Sequence, residues 1–215
     1  MKIKYLGHSS FMLTSSSGTS ILTDPYTGVG YELPIGLQAD VVTTSHAHFD
    51  HNYTQNIRCE KILSKIGDTL YKDVRIVGVE SYHDEKQGAL RGKNIVFKYF
   101  IDGLVVCHLG DLGEDVTDGI LSKIGSVDVL LLPVGGTYTI DAKQAKAYVE
   151  GIAPKIVIPM HFKPSDGKLD IDGVDVFLSQ FSHDCITDYK TNEVEINAID
   201  LQGGALSIIY LERSI

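Results

Sequence analysis

One short stretch of this chain combines a run of apolar residues with four potential metal ligands. Residues 41–45 are suited to a buried strand, and His46, His48, Asp50 and His51 follow them directly. On an extended backbone, residues i and i+2 lie on the same side, so His46 and His48 converge. A turn further along brings Asp50 and His51 toward a second, nearby position. The stretch therefore predicts a metal-binding loop at the end of a strand.

The ligand types restrict the metal without naming it. Imidazole and carboxylate groups bind Zn²⁺ well, and they also bind other divalent ions of the first transition row. We expect two divalent ions, with zinc as the first expectation and manganese or iron as alternatives.

A second acid is predicted to reach both ions. Residues 95–100 and 104–108 form a predicted hairpin around Asp102-Gly103, and the chain continues into Gly110-Asp111. A carboxylate that follows a strand and a glycine can stand free of the sheet. Asp111 is therefore a candidate for a ligand shared by both ions.

Two histidines compete for the remaining place at the first ion. If Asp111 faces the site from an extended backbone, Leu109 shares its side and His108 points the other way. Alternation therefore favours His83, which stands at the end of a predicted strand over residues 74–79. His108 stays open as the alternative ligand.

The C-terminal half reads as alternating strands and helices. Residues 128–133 and 155–160 are apolar runs typical of strands covered on both faces, and His161 ends the second run. Helices are predicted over residues 117–124 and 141–150, the second of them capped by Asp141. Residues 194–201 and 206–211 are predicted to pair as a hairpin around Gln202-Gly203-Gly204.

The pattern His46-x-His48-x-Asp50-His51 resembles the signature loop of the metallo-β-lactamase superfamily. Residues 130–163, with their Gly-Gly turn and final Pro-Met-His, resemble the L-ascorbate 6-phosphate lactonase-like branch of that superfamily. The resemblance implies an α+β fold of the four-layer αββα sandwich type, with the ligands on loops at one edge. It covers nearly the whole chain, which we expect to form one domain over residues 1–215.

The resemblance also implies the ligand sets and the reaction. The first ion is bound by His46, His48 and His83, the second by Asp50, His51 and His161, and Asp111 contacts both. Two ions share a water whose pKa falls toward ~7, and the resulting hydroxide attacks an ester, a lactone or a phosphodiester. Asp50 accepts or relays the proton.

Four further residues are expected beside the ligands or facing the substrate. The resemblance gives Asp24 a hydrogen bond to a metal-bound histidine, although an ordinary Asp-Pro turn explains it as well. His8 lies at the joint of the first two predicted strands, where related hydrolases carry a Gly-His pair. The remaining two are His108, in the role left to it if His83 is the ligand, and Lys163, which either meets a substrate anion or is simply solvated.

The composition narrows the classes of partner. Lys and Arg number 19 against 28 Asp and Glu, giving a net charge of −9 without a basic run, which argues against an extended nucleic-acid surface. We expect a small-molecule substrate, with an anionic group allowed. No stretch approaches the ~18–20 apolar residues of a membrane span, and three widely spaced cysteines favour the cytoplasm. The pattern leaves open whether the chain forms a homo-oligomer.

Two other functions remain to be separated from hydrolysis. A protein of this type can hold its metal as a sensor or binding protein without turnover. Redox members related to flavodiiron reductases share the fold, but they typically carry a glutamate where this chain has His48. The sequence therefore favours a metal-dependent hydrolase.

Overall fold

The computed structural model describes residues 1–201 and 203–213. Its strands are β1 (Lys2–Gly7), β2 (Ser10–Thr14), β3 (Ser20–Thr23), β4 (Gln38–Thr43), β5 (Arg58–Leu63), β6 (Gly67–Tyr71), β7 (Val74–Tyr82), β8 (Lys93–Ile101), β9 (Leu104–His108), β10 (Val129–Pro133), β11 (Ile156–Met160), β12 (Ile186–Asp188), β13 (Glu193–Glu195) and β14 (Ser207–Tyr210). Its α-helices are α1 (Asp118–Ile124), α2 (Ala142–Ile152) and α3 (Val174–Leu178).

The strands form two sheets that enclose a common core. The first sheet has the order β13-β1-β2-β3-β4-β5, and the second has the order β12-β14-β11-β10-β9-β8-β7-β6. Side chains from both sheets, among them Ile21 and Val41 of the first and Phe97 and Leu131 of the second, belong to one buried cluster. Apolar burial between the sheets is therefore the main contribution to the stability of the fold.

The two outer faces are covered differently. Helices α1 and α2 follow strands of the second sheet, and α1 contacts β7. Leu22 and Val42, on the outer face of the first sheet, pack instead with Leu33, Leu37 and Ile57 from loops. The two facing sheets confirm the predicted sandwich. Loop residues cover this part of the outer face of the first sheet.

Parallel strands bring distant segments to one edge. β9, β10 and β11 are parallel neighbours, as are β3 and β4. The carboxyl ends of parallel strands meet at the same edge of a sheet, which is where ligands bind in such sheets. Asp111 follows β9 and His161 follows β11, so the topology places both at that edge.

Most predicted elements are confirmed, with local corrections. The predicted C-terminal hairpin is wrong, because β13 pairs antiparallel with β1 in the first sheet whereas β14 runs parallel to β11 in the second. Gln202, which the hairpin was expected to include, lies outside the described residues. The edge strand β6 was not predicted, since its sequence alternates only weakly and most of its residues are exposed. No helix in the described part of the chain is long and apolar enough to cross a bilayer.

The start of α2 gives a test of the fold. Asp141 accepts a hydrogen bond from Gln144 N at 2.8 Å, and Gln144 Oε1 accepts one from Asp141 N at 3.0 Å. Replacing Asp141 with alanine removes this reciprocal cap, so we expect the free energy of unfolding in urea to fall by about 1 kcal/mol. Asp141→Asn keeps a side-chain acceptor and serves as the matched control. Equal losses in the two variants would contradict the assigned role of the cap.

Candidate metal centre

The predicted histidine loop closes into a tight turn after β4. His51 N donates to His48 O at 3.0 Å, so the chain reverses between these residues and returns His51 toward the strand. His46 Nε2 lies 3.0 Å from His48 Nδ1. Two imidazole nitrogens that face each other at this distance fit two ligands of one tetrahedral ion, whose bonds are ~2.0–2.1 Å long.

Asp111 is held in place through its backbone. Gly110 adopts a φ of 58°, and a Cβ atom there would overlap Asn94 Oδ1, so only glycine fits without displacing the amide. Asn94 Oδ1 accepts the Asp111 N–H at 3.0 Å, and Asn94 Nδ2 donates to Ser81 Oγ and to Leu109 O. The direction of the Asp111 carboxylate is thus fixed by a buried amide.

Four histidines surround the Asp111 carboxylate, which is almost fully buried. Oδ1 lies 3.1 Å from His51 Nε2. Oδ2 lies 3.3 Å from His83 Nε2, 3.4 Å from His161 Nε2 and 3.8 Å from His46 Nε2. One carboxylate therefore contacts histidines from both predicted ligand sets.

The structure separates the roles of His83 and His108. His108 Nε2 donates to Ser9 O at 2.7 Å, and its Nδ1 accepts the Gly110 N–H at 3.1 Å, so both ring nitrogens have partners away from the centre. His83 instead places Nε2 against Asp111. The alternation argument thus selected the histidine that the fold brings to Asp111.

His161 stands at the opposite side of the centre, in the left-handed region at φ 51°. Its N–H donates to His8 O at 2.9 Å. A Cβ on Gly135 would overlap His161 O, so the Gly-Gly turn after β10 is required for close packing against this residue.

Asp24 fixes the orientation of two of the histidine rings. Its Oδ2 accepts from His51 Nδ1 at 2.8 Å and from Ser45 Oγ at 2.6 Å, and its Oδ1 accepts from Ser45 N at 2.7 Å. Because the Ser45 hydroxyl donates to Asp24, it is left to accept from His46 Nδ1, 2.9 Å away. Both rings then hold a proton on Nδ1 and turn Nε2 toward the centre.

Several buried polar atoms at the centre have no hydrogen-bond partner. Within the described residues they include His8 Nε2, His51 Nε2, His161 Nε2 and Asp111 Oδ1. An unsatisfied buried polar group costs about 1–3 kcal/mol, and native proteins contain few of them. Imidazole nitrogens and a carboxylate oxygen that converge without partners are the donor set that divalent ions use, so the residues present fit a metal centre.

The pKa values of the side chains at the centre also suit metal binding. Burial raises the pKa of Asp111, but the nearby His161 and His51 rings outweigh it electrostatically and hold that pKa well below the usual range. Burial lowers the pKa of His46 to about 3. Burial likewise lowers the pKa of His51, but the Asp111 and Asp24 carboxylates raise it well above the usual value. An ionised carboxylate and a neutral His46 are the forms that bind metals, and a cation would take the place of the His51 proton.

The remaining predicted residues lie at different distances from the centre. His8 is buried, and its Nε2 lies 3.3 Å from Asp50 Oδ2. Burial, followed by the charge of His161, lowers the pKa of His8 to about 4. Lys163 is exposed, next to the buried His161 and Phe162.

Sequence reasoning missed Ser45 and Asn94. Asn94 lies on the inward face of β8 together with Val96, and a polar residue on a buried face of a strand indicates a special role.

A cleft of about 560 Å³ adjoins the centre on the side of His46. Its lining includes Ser45, Asn52, Lys65, Ile66 and Asn94. Phe49, which is 60% exposed, stands within the histidine loop itself. The cleft is large enough for a small organic molecule.

Replacing Asp24 tests its control of the histidine rings. Asparagine tolerates the left-handed backbone at this position. It has only one acceptor oxygen, however, whereas the two carboxylate oxygens of Asp24 accept three hydrogen bonds. We expect Asp24→Asn to weaken metal binding 10–100-fold, measured by competition with a chromophoric chelator. Asp40→Asn, at a carboxylate that pairs with Lys72, is the control and should leave the affinity unchanged. Equal affinities for all three proteins would refute this role.

Two glycines of positive φ allow a matched test of the Asp111 support. Gly110→Ala adds a Cβ against Asn94 and should both destabilise the fold and lower the bound metal per chain, measured by elemental analysis. Gly103→Ala, in the turn between β8 and β9 at φ 77°, meets nothing closer than 3.9 Å. It should cost about 1 kcal/mol of stability and keep its metal. Full metal content in Gly110→Ala would contradict the fixed position of Asp111.

Known proteins share both the sequence pattern and the fold. Residues 2–161 match the family model of the β-lactamase superfamily domain. A UPF0173 metal-dependent hydrolase of Thermococcus onnurineus is 30% identical over 191 residues, covering 75% of this chain and 84% of the relative. A UPF0173 protein of Pyrococcus furiosus is 33% identical over 188 residues, covering 75% and 83%.

The similarity extends to a solved structure. A protein of Thermotoga maritima, assigned as a Zn-dependent hydrolase of the metallo-β-lactamase superfamily, superimposes with a TM-score of 0.79 at 36% identity, covering 98% of this chain and 99% of that protein. The two-sheet architecture is therefore the metallo-β-lactamase fold. With the matched family model and relatives, it shows that this chain belongs to the metallo-β-lactamase superfamily, among the UPF0173 metal-dependent hydrolases.

Proposed function

We propose that this metal-dependent hydrolase acts on a small molecule through a centre of two divalent ions. One ion would be held by His46, His48 and His83, and the other by Asp50, His51 and His161, with Asp111 shared between them. Zinc is the expected ion, and manganese or iron would fit the same donors.

The single observation that carries the proposal is the position of Asp111. Its two oxygens lie within 3.8 Å of histidine nitrogens from both ligand sets, and the carboxylate is held ionised although it is buried. A lone ion would leave one of these sets of nitrogens facing nothing. Two ions satisfy the donors of both, so the arrangement supports a dinuclear centre.

The protein side chains divide the work of hydrolysis. When bound, the two ions would lower the pKa of a shared water and stabilise negative charge on the substrate oxygen. Asp24 keeps the Nε2 atoms of His46 and His51 available as donors. Asp50 is the more open of the two acids, with 14% of its side chain exposed against 2% for Asp111. It is therefore the carboxylate placed to pass a proton between the centre and solvent.

The surroundings of the centre support a small-molecule substrate. The cleft beside His46 has a volume of about 560 Å³, within the usual range for small-molecule sites. Its wall carries Lys65 and a Lys93–Glu80 ion pair, so an anionic group is allowed there. We propose an ester, a lactone or a phosphodiester as the bond cleaved. Lactones come first, because residues 130–163 resemble the lactonase-like branch. Three free thiols among the described residues fit a reducing, cytoplasmic compartment.

A metal-binding sensor and a redox enzyme are the alternatives. The redox members that share this fold typically carry a glutamate at the position of His48, and here the His48 ring faces His46 at 3.0 Å. A sensor would bind the same ions and turn over no substrate. A panel of a lactone, bis-p-nitrophenyl phosphate and a thioester separates the sensor from the hydrolase.

Asp111→Asn is the decisive variant for the proposal. Asparagine loses the negative charge and one acceptor oxygen, so we expect the bound metal to fall from two ions toward one per chain and kcat/KM to fall by at least ~10³-fold. Bound metal and turnover are measured on the same samples. Asp118→Asn, at an exposed residue in the first turn of α1, should retain both properties. Unchanged turnover and metal content in Asp111→Asn would refute the shared role of Asp111.

A further inference from the structure

His8 is placed like a metal ligand, although it lies far from the ligand motifs in the sequence. It sits at the joint of β1 and β2 and is 1% exposed. Its Nε2 is among the buried atoms without a hydrogen-bond partner. A buried imidazole nitrogen of this kind is costly to leave unsatisfied, so its direction requires an explanation.

The atoms nearest to His8 are those expected at the second ion. The His8 ring centroid lies 4.4 Å from that of His161 and 4.9 Å from that of His51. Ligand atoms of His8, Asp50, His51 and His161 all lie within 4.8 Å of one another. Donors bound to a single ion at ~2.0–2.2 Å are at most about 4.4 Å apart, so these four residues lie close to the dimensions of one coordination sphere.

A hydrogen bond to Asp50 does not account for this geometry. His8 Nε2 lies 3.3 Å from Asp50 Oδ2, yet the atom has no partner of hydrogen-bond geometry. The contact is thus close but poorly aligned, which is also how two ligands of the same ion approach each other. A ring placed only to orient Asp50 would direct an N–H along the line to the carboxylate oxygen.

The backbone holds His8 firmly in this position. His8 adopts φ 52° and follows Gly7 at φ 112°, where a Cβ would lie 2.7 Å from the Tyr26 hydroxyl. The His8 carbonyl accepts from the Tyr5 hydroxyl at 3.1 Å and from His161 N at 2.9 Å. His8 is thus tied directly to another predicted ligand, and the surrounding contacts hold it in the uncommon left-handed region.

We propose that His8 Nε2 is a direct ligand of the second ion, together with Asp50, His51, His161 and the shared Asp111. This inference rests on the proposed dinuclear function. The second ion then has five protein donors, whereas the first has four, namely His46, His48, His83 and Asp111. The position open to substrate lies at the first ion, on the side of the His46 cleft.

The test measures metal binding and coordination rather than turnover. Apo protein is titrated with Co²⁺ against a competing chelator, and the visible absorption of each bound equivalent is recorded. Wild-type protein should bind two equivalents. His8→Ala should keep the affinity and spectrum of the first equivalent, lose more than ~100-fold in affinity for the second, and change the spectrum of the second. This loss exceeds the 10–100-fold typical of partners that only orient a ligand.

Two further variants make the result specific. His8→Gln retains a side-chain N–H for Asp50, so it should resemble His8→Ala if His8 is a ligand and wild type if His8 only donates to Asp50. His183→Ala removes an exposed histidine and should behave as wild type. Circular dichroism of the apo proteins confirms that each variant is folded.

The outcomes separate this inference from the function on which it rests. Wild type that binds fewer than two equivalents overturns the dinuclear centre, and the inference with it. Two equivalents with unchanged affinity and spectrum in His8→Ala overturn the ligand role of His8 alone. Wild-type behaviour of His8→Gln also overturns that role and assigns His8 a hydrogen bond to Asp50.

Discussion

The buried Asp111 carboxylate is the group on which the rest of the site depends. An ionised carboxylate is among the costliest groups to bury, and this one is enclosed by histidine rings, of which His51 and His161 each have an Nε2 without a hydrogen-bond partner. A protonated His51 offsets only part of that cost, and the apolar core offsets none of it. Bound divalent cations would offset it more fully, so the fold is that of a protein completed by its metal.

The scaffold places these side chains around Asp111 by means of uncommon backbone conformations and close backbone contacts. His8, Asp24 and His161 all occupy the left-handed region, and each aims a side chain at the centre or at one of its rings. Gly110 and Gly135 are required because their neighbours approach too closely for a Cβ. Conformations of this kind persist only where surrounding contacts enforce them, which here are two parallel-stranded sheet edges and a network of buried hydrogen bonds. Stability and function are thus coupled through the same few positions.

The sequence predicted the parts of the centre that are local or periodic. His46, His48, Asp50 and His51 lie within six positions of the chain, so a strand followed by a turn was enough to bring them together. Alternation along the chain favoured His83 over His108, and the apolar runs gave the bounds of β10 and β11 almost to the residue.

What the sequence missed depends on distant contacts. The pairing of β13 with β1 and of β14 with β11 joins segments remote in the chain, which a local hairpin pattern cannot indicate. Asn94 supports Asp111 across two strands, and Ser45 relays between Asp24 and His46. The direction of His8 follows from a positive φ, which is uncommon in non-glycine residues and which the local sequence did not indicate. Side-chain direction in three dimensions, rather than residue type, was therefore the missing information.

The most direct measurement is anomalous diffraction from crystals of the metal-loaded protein, recorded on both sides of the absorption edge of the bound metal. The account predicts two anomalous peaks about 3.5–4 Å apart, with the Asp111 carboxylate between them. A single peak, or peaks that do not contact Asp111, would contradict it.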